Sequence, residues 1–149
     1  MRDLKINSET AMSVVRNCLV VLIQGELHDD MLMRIRTDIL EKVQATKVRG
    51  LIFDFSTVRA LDTFAFNFFT DTAKMASLLG VLAVFVGLQP GVVSALVDLE
   101  VEIPDVRSAL TMEDGFEQLR HVSSIEDEPE NADNETIEDD EWENDSEEQ

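Results

Sequence analysis

Three short runs of mostly branched apolar residues punctuate this chain: Cys18-Leu19-Val20-Val21-Leu22-Ile23-Gln24, Leu51-Ile52-Phe53-Asp54-Phe55 and Val81-Leu82-Ala83-Val84-Phe85-Val86. Runs this short, with almost no polar alternation, suit strands that are covered on both faces, because neither side of such a strand meets water. Between them lie longer stretches in which apolar residues recur at three- and four-residue steps, the period of a helix with one buried face. Strands and helices that alternate in this way build an α/β domain, a sheet with helices packed on it.

The boundaries are marked by residues with local preferences. Gly25 closes the first run, and Asp29 and Asp30 offer caps to a helix over 30–46, whose apolar stripe is Leu32, Ile35, Ile39, Leu40 and Val43. After the strand at 51–55 and a loop from Ser56 to Asp62, Asp62 and Thr63 can cap a central helix that ends at Gly80, a residue able to take the left-handed terminal conformation. The period places Ala65, Phe68, Phe69, Thr72, Met75, Ala76 and Leu79 on its inward face. Gly87 closes the third run, and Pro90 suits the first position of a short helix ending near Leu99. An extended segment around 103–106 and a last helix from about Glu113, with Phe116, Leu119 and Val122 inward, complete the pattern. A further strand fits between Leu4 and Val15. The expectation is a mixed sheet of four to five strands covered by about four helices.

The chain has 149 residues, enough for one domain with a real core. Its 31 acidic and 12 basic residues give a net charge of −19, which repels phosphate backbones and anionic headgroups and argues against nucleic-acid or direct membrane binding. That charge is concentrated at one end. Residues 126–149 hold 14 acidic residues and no basic one, whereas 1–125 hold 17 acidic and 12 basic residues, a net of −5. The expected organisation is therefore a folded domain over 1–125 and a disordered acidic tail over 126–149, because so few apolar groups cannot offset the entropy of ordering mutually repelling charges. Within the tail, Trp142 is a candidate anchor, and Thr136 and Ser146 are candidate acidophilic phosphosites; a purely solvating role is the simpler reading. No apolar run is long enough to cross a bilayer and the opening MRDLKINSET lacks a signal-peptide core, so a cytoplasmic location is expected.

The residues give little support to catalysis. The two histidines, His28 and His121, fall in different predicted elements without a nucleophile or carboxylate at motif spacing. No glycine-rich phosphate cradle is present. The one cysteine, Cys18, lies in a strand pattern as a small buried hydrophobe, and Asp29-Asp30 read as helix-start residues before they read as metal ligands. No enzyme activity, cofactor or metal is expected.

One position has better-defined chemistry. Thr63 follows Asp62 at the start of the central helix, in the sequence Leu61-Asp62-Thr63-Phe64. A phosphoryl group on a hydroxyl there would meet unpaired backbone N–H groups and the positive end of the helix dipole, so the fold would accept about two added negative charges. The consequence would fall on a partner docked over that helix end. Phe64 and Phe66 flank the position, and either is a candidate interface anchor if exposed.

The stretches LIFDFSTVRALDTF and KMASLLGVLAVFVGLQPGVVSALVDL resemble the STAS-domain family of anti-sigma factor antagonists, and the resemblance spans about 100 residues of the chain. The arrangement from Leu78 to Pro90 is most similar to the small single-domain antagonists that serve as stressosome scaffolds alongside larger sensor paralogues. The resemblance implies a mixed sheet with helices packed on it. It also implies that the regulatory residue is Thr63, directly after Asp62, and that its phosphorylation releases a switch serine/threonine kinase or an anti-sigma factor held by the unmodified protein. Asp62, Phe64 and Phe66 are then the partner-contact candidates, and sensor STAS paralogues the expected companions in a large assembly. This chain departs from the common pattern in having Thr63 rather than a serine, followed by bulky Phe64 and Phe66. The second phosphorylatable threonine of sensor paralogues is matched by Ala95, beside Ser94. A related use of such domains, as subunits of lipid- or solute-transport complexes, is the alternative implied.

Overall fold

The computed structural model describes residues 10–102 and 106–127. The chain runs β1 (Thr10–Val15), β2 (Cys18–Ile23), α1 (Asp29–Thr46), β3 (Gly50–Asp54), α2 (Thr63–Leu78), β4 (Leu82–Val86), α3 (Pro90–Asp98), β5 (Arg107–Ala109) and α4 (Met112–Asp127). The five strands form one mixed sheet in the order β1-β2-β3-β4-β5. β1 pairs antiparallel with β2 through a two-residue turn, Arg16-Asn17, whose φ angles of 53° and 65° match the twist of the strands it joins. The other three pairings are parallel, with Leu51 opposite Leu19 and Ala83 opposite Leu51.

A strand alternates its side chains between two faces, and here each face has its own cover. On one face Leu19, Val21, Ile23, Leu51, Phe53, Phe55 and Phe85 pack against residues of α1, α2 and α3, including Ile35, Ile39, Phe69, Ala76, Val92 and Leu96. The rings of Phe53, Phe55, Phe69 and Phe85 meet largely edge to face, with centroids 5.2–5.5 Å apart for Phe53–Phe85, Phe55–Phe69 and Phe53–Phe69. On the other face, Cys18, Ile52, Val84 and Val86 pack against α4 through Leu119.

Several expectations are met closely, including Pro90 at the start of α3 and a positive φ at Gly80 after α2. Others are corrected. Asp29 and Asp30 do not cap α1: the cap position is His28, with no side-chain bond, and both aspartates lie inside the first turn, where they face the positive end of the helix dipole. The buried side of α2 is rotated from the predicted one, toward Phe66, Thr70 and Ala73 and away from Met75 and Leu79, which are exposed. The helix follows the groove offered by β3, β4 and α1 rather than the centre of its own apolar stripe. The last strand lies at 107–109, just after the segment expected to be extended, of which 103–105 fall outside the described residues. In α4, Leu119 is buried whereas Phe116 and Val122 are half-buried, and the helix continues two residues past the expected 125/126 boundary. Residues 128–149, with Thr136, Trp142 and Ser146, lie outside the described residues. Among the described residues, no helix is long and apolar enough to cross a membrane.

Candidate functional site

The start of α2 is set by Asp62, whose backbone is extended and whose Oδ1 accepts the backbone N–H of Ala65 at 2.8 Å. This is the capping arrangement expected of a short acceptor at that position. Thr63 is then the first helical residue, half-buried, and the N–H groups of Thr63 and Phe64 have no acceptor within the helix. The hydroxyl therefore stands where an anion is favoured by both the open donors and the dipole.

The loop that delivers Asp62 and Thr63 is fastened at its root. Phe55 N–H donates to Val86 O at 2.9 Å, Ser56 N–H to Asp54 Oδ1 at 3.0 Å, and the Thr57 hydroxyl to Ile23 O at 3.1 Å, so the loop is tied to β2 as well as β4. The turn after β4 closes over it. Gln89 donates its side-chain N–H to Ser56 O at 2.6 Å, and Gly87, at φ +77°, lies so close that a Cβ there would meet three Ser56 atoms at 3.1 Å. Thus the Gly87-Leu88-Gln89-Pro90 motif positions the Ser56 loop while Pro90 starts α3.

Beside Asp62, at the carboxyl ends of the parallel strands, lies an open cleft of about 460 Å³. The β2–α1 loop (Gly25 to His28) forms one wall and Thr57 to Asp62 the other, with Ala65 at the helix side. His28 Nε2 is 3.4 Å from Glu26 Oε1, both well exposed. Open α/β sheets place ligand and partner contacts at this end because the loops there are free to vary.

The two phenylalanines flanking Thr63 separate. Phe64 is 53% exposed, with its ring 6.0 Å from that of Phe68. Phe68 in turn lies under Arg36 of α1, whose guanidinium carbon is 3.7 Å from the ring centroid and whose Nε donates to Thr72 Oγ1 at 3.1 Å. Phe66 is corrected as a surface anchor: it is 3% exposed and meets Phe85 edge-on at 6.2 Å, because one helical step of 100° carries it from Ala65 further into the groove over β4. The Arg36–Phe68 stack was not singled out from sequence; an arginine facing an aromatic across two helices leaves no signature in either helix alone.

Other candidates do not line this cleft. Ser94 is exposed on α3 and His121 is exposed on α4. Cys18 is buried in the sheet, and burial pushes its thiol above the ordinary value, the Arg16 charge working weakly against it. Among the described residues no group of three or more histidine, cysteine or acidic side chains is placed to hold a metal ion.

The family model described as the STAS domain matches residues 9–110. Among solved structures, a variant of RsbS from Moorella thermoacetica aligns with a TM-score of 0.66 at 23% identity, over 78% of this chain and 98% of that one. A chain from a structure described as the molecular architecture of the stressosome, a signal integration and transduction hub, aligns at 0.66 and 24% identity, over 76% and 98%. The unphosphorylated anti-sigma factor antagonist SpoIIAA aligns at 0.59 and 18%, over 75% and 96%. A comparison with curated proteins returned no match. At these identities the structural likenesses speak for the fold. With about two thirds of its length matched by the family model and its sheet and helices in the same arrangement, the chain belongs to the STAS-domain family.

Proposed function

We propose that this protein is a non-catalytic, cytoplasmic, phosphorylation-switched binding module of the anti-sigma factor antagonist type. In its unmodified form it holds a switch serine/threonine kinase or an anti-sigma factor, and phosphorylation of Thr63 releases that partner. The observation that carries this reading is the position of Thr63: first residue of a helix whose cap is already supplied by Asp62, next to an exposed Phe64 and an open cleft. A phosphoryl group there is compatible with the fold, because dipole and open N–H donors receive it. A partner seated on Phe64 and Asp62 instead meets new charge and bulk. A 100-fold loss of affinity needs about 2.7 kcal/mol, within the range of a charge brought against a partly desolvated interface.

The likeness to RsbS and to the stressosome structure supports placing the module in a larger assembly with sensor-type STAS paralogues. The test is phosphopeptide mapping of the protein isolated from its native cells before and after stress. A stress-dependent phosphate on Thr63 is the expected result; a chain never modified there under any condition removes the switch. Recovery with a permease and an ATPase would favour the transport-subunit reading instead.

A further inference from the structure

At the starts of β2 and β3, the end of the sheet opposite the Asp62 cleft, lies another cavity of about 310 Å³, lined from three separate parts of the chain. The β1–β2 turn supplies Arg16 and the start of β3 supplies Arg49. α4 supplies Glu113, Phe116, Glu117 and Arg120, which stand at i, i+3, i+4 and i+7 and so share one helix face. The inner wall is apolar, and Leu119 comes down so closely that a Cβ on Gly50 would meet its Cδ1 at 2.7 Å and Cys18 Sγ at 2.8 Å. Three arginines thus line one cavity, in a chain with 12 basic residues and a net charge of −19. Two of them are held in place by the backbone. Arg16 has φ 53°, at a turn position that glycine, asparagine or aspartate ordinarily fills, and its guanidinium carbon lies 4.7 Å from the centroid of the Phe116 ring. Arg49 donates its backbone N–H to Asn17 O at 3.0 Å, and its own carbonyl accepts from Leu82 N–H at 3.3 Å.

We propose that this cavity is a binding site for a small organic anion, a carboxylate or phosphate ester carried on a short apolar or aromatic body. The planar fork of arginine matches the paired oxygens of either head group, and Phe116 and Leu119 give the body an apolar wall. The volume stands at the lower end of the roughly 300–1,000 Å³ typical of small-molecule sites, so the ligand is of one ring or a short chain. Two internal carboxylates already sit at the rim: Arg16 pairs with Glu113 Oε2 at 3.1 Å, and Arg120 with Glu117 Oε2 at 2.6 Å. All four side chains are 59–76% exposed, and ion pairs that open to solvent contribute little, which leaves both arginines exchangeable. An anion that engages two guanidinium groups at once replaces these pairs with better-shared ones. Glu113 and Glu117 are therefore competitors of the ligand, and removing either strengthens binding. The cavity is remote from Thr63, and the inference does not depend on the switch reading.

The experiment is titration of the full chain with phenyl phosphate, benzoate, inorganic phosphate and phenol, followed by amide chemical shifts and calorimetry. Phenyl phosphate or benzoate should bind with shifts concentrated at 16–18, 49–50 and 113–120, and the tighter of the two identifies the head group. Inorganic phosphate should bind about tenfold more weakly than phenyl phosphate, and phenol not measurably. Arg16→Gln and Arg120→Gln, both at exposed positions, should each weaken binding by about tenfold with unchanged circular dichroism. Glu113→Gln should tighten it about threefold or more, whereas Asp114→Asn, the same change of charge one residue away and outside the cavity, should leave it within about twofold. Neither organic anion shifting Arg16 or Arg49 at about 10 mM would overturn the proposal. So would equal gains from Glu113→Gln and Asp114→Asn, which reduce the effect to overall charge, or inorganic phosphate binding as tightly as phenyl phosphate, which removes the apolar wall from recognition.

Discussion

The side chain of Gln89 donates a hydrogen bond to the backbone carbonyl of Ser56 at 2.6 Å, across a sequence separation of 33 residues. Through this bond the turn after β4 fixes the root of the loop that carries Asp62 and Thr63. Gln89→Ala should lower stability by about 1 kcal/mol, the usual net worth of such a bond. Amide exchange should rise over 56–62 in particular. Exchange rising equally across the sheet would mean that Gln89 supports the fold as a whole rather than this loop.

Gly87 and Gly80 separate two costs of replacing a glycine. Both have positive φ, +77° and +85°, but a Cβ at Gly80 meets nothing within 4 Å, whereas one at Gly87 meets Ser56 at 3.1 Å. Gly80→Ala should cost about 1 kcal/mol from backbone strain. Gly87→Ala should cost more and shift the Ser56 loop as well. Equal unfolding midpoints for the two variants would show that the close approach to Ser56 contributes nothing.

Phe64 and Phe66 should behave oppositely although only Ala65 separates them. Phe66→Ala removes a buried ring and should cost about 3–5 kcal/mol in denaturant unfolding. Phe64→Ala should change stability by less than about 0.5 kcal/mol, with its effect falling on partner affinity instead. A large stability loss at Phe64 would move that residue into the core and out of the interface.

Cys18 provides a pH-dependent check on the packing between the sheet and α4. Its thiol is pushed above the ordinary 9.0, chiefly by burial. A folded-state value above the unfolded one contributes stability in full below about pH 9 and loses it as pH rises through the folded value. Unfolding free energy should therefore fall above that pH in the wild type and less so in Cys18→Ala. At pH 8, an aromatic disulfide reagent should label the native protein slowly and the denatured chain at once. Immediate labelling of the native protein would contradict the burial.

Strand runs, helix punctuation and the Asp62-Thr63 cap were legible in the sequence because each depends on local chemistry: apolar runs bounded by glycine, a short acceptor before a helix, a proline at a first turn. What was not legible depends on tertiary neighbours. The direction in which α2 presents its face is decided by the groove over β3 and β4, and so Phe66 could not be told from Phe64 by period alone. The Arg36–Phe68 stack needs α1 and α2 brought together before either residue stands out. The Gly87-Leu88-Gln89-Pro90 motif was visible as a pattern, but its function, holding Ser56, appears only once the two loops are neighbours.

Control of partner release by Thr63 is measured by quantitative recovery of partners from native cells with tagged wild type, Thr63→Ala and Thr63→Glu. A small ATP-binding kinase or an anti-sigma factor should accompany the wild type and Thr63→Ala together with sensor-type paralogues, and the kinase or anti-sigma factor should be depleted from Thr63→Glu while the paralogues stay. The same partner recovered equally with all three would contradict it.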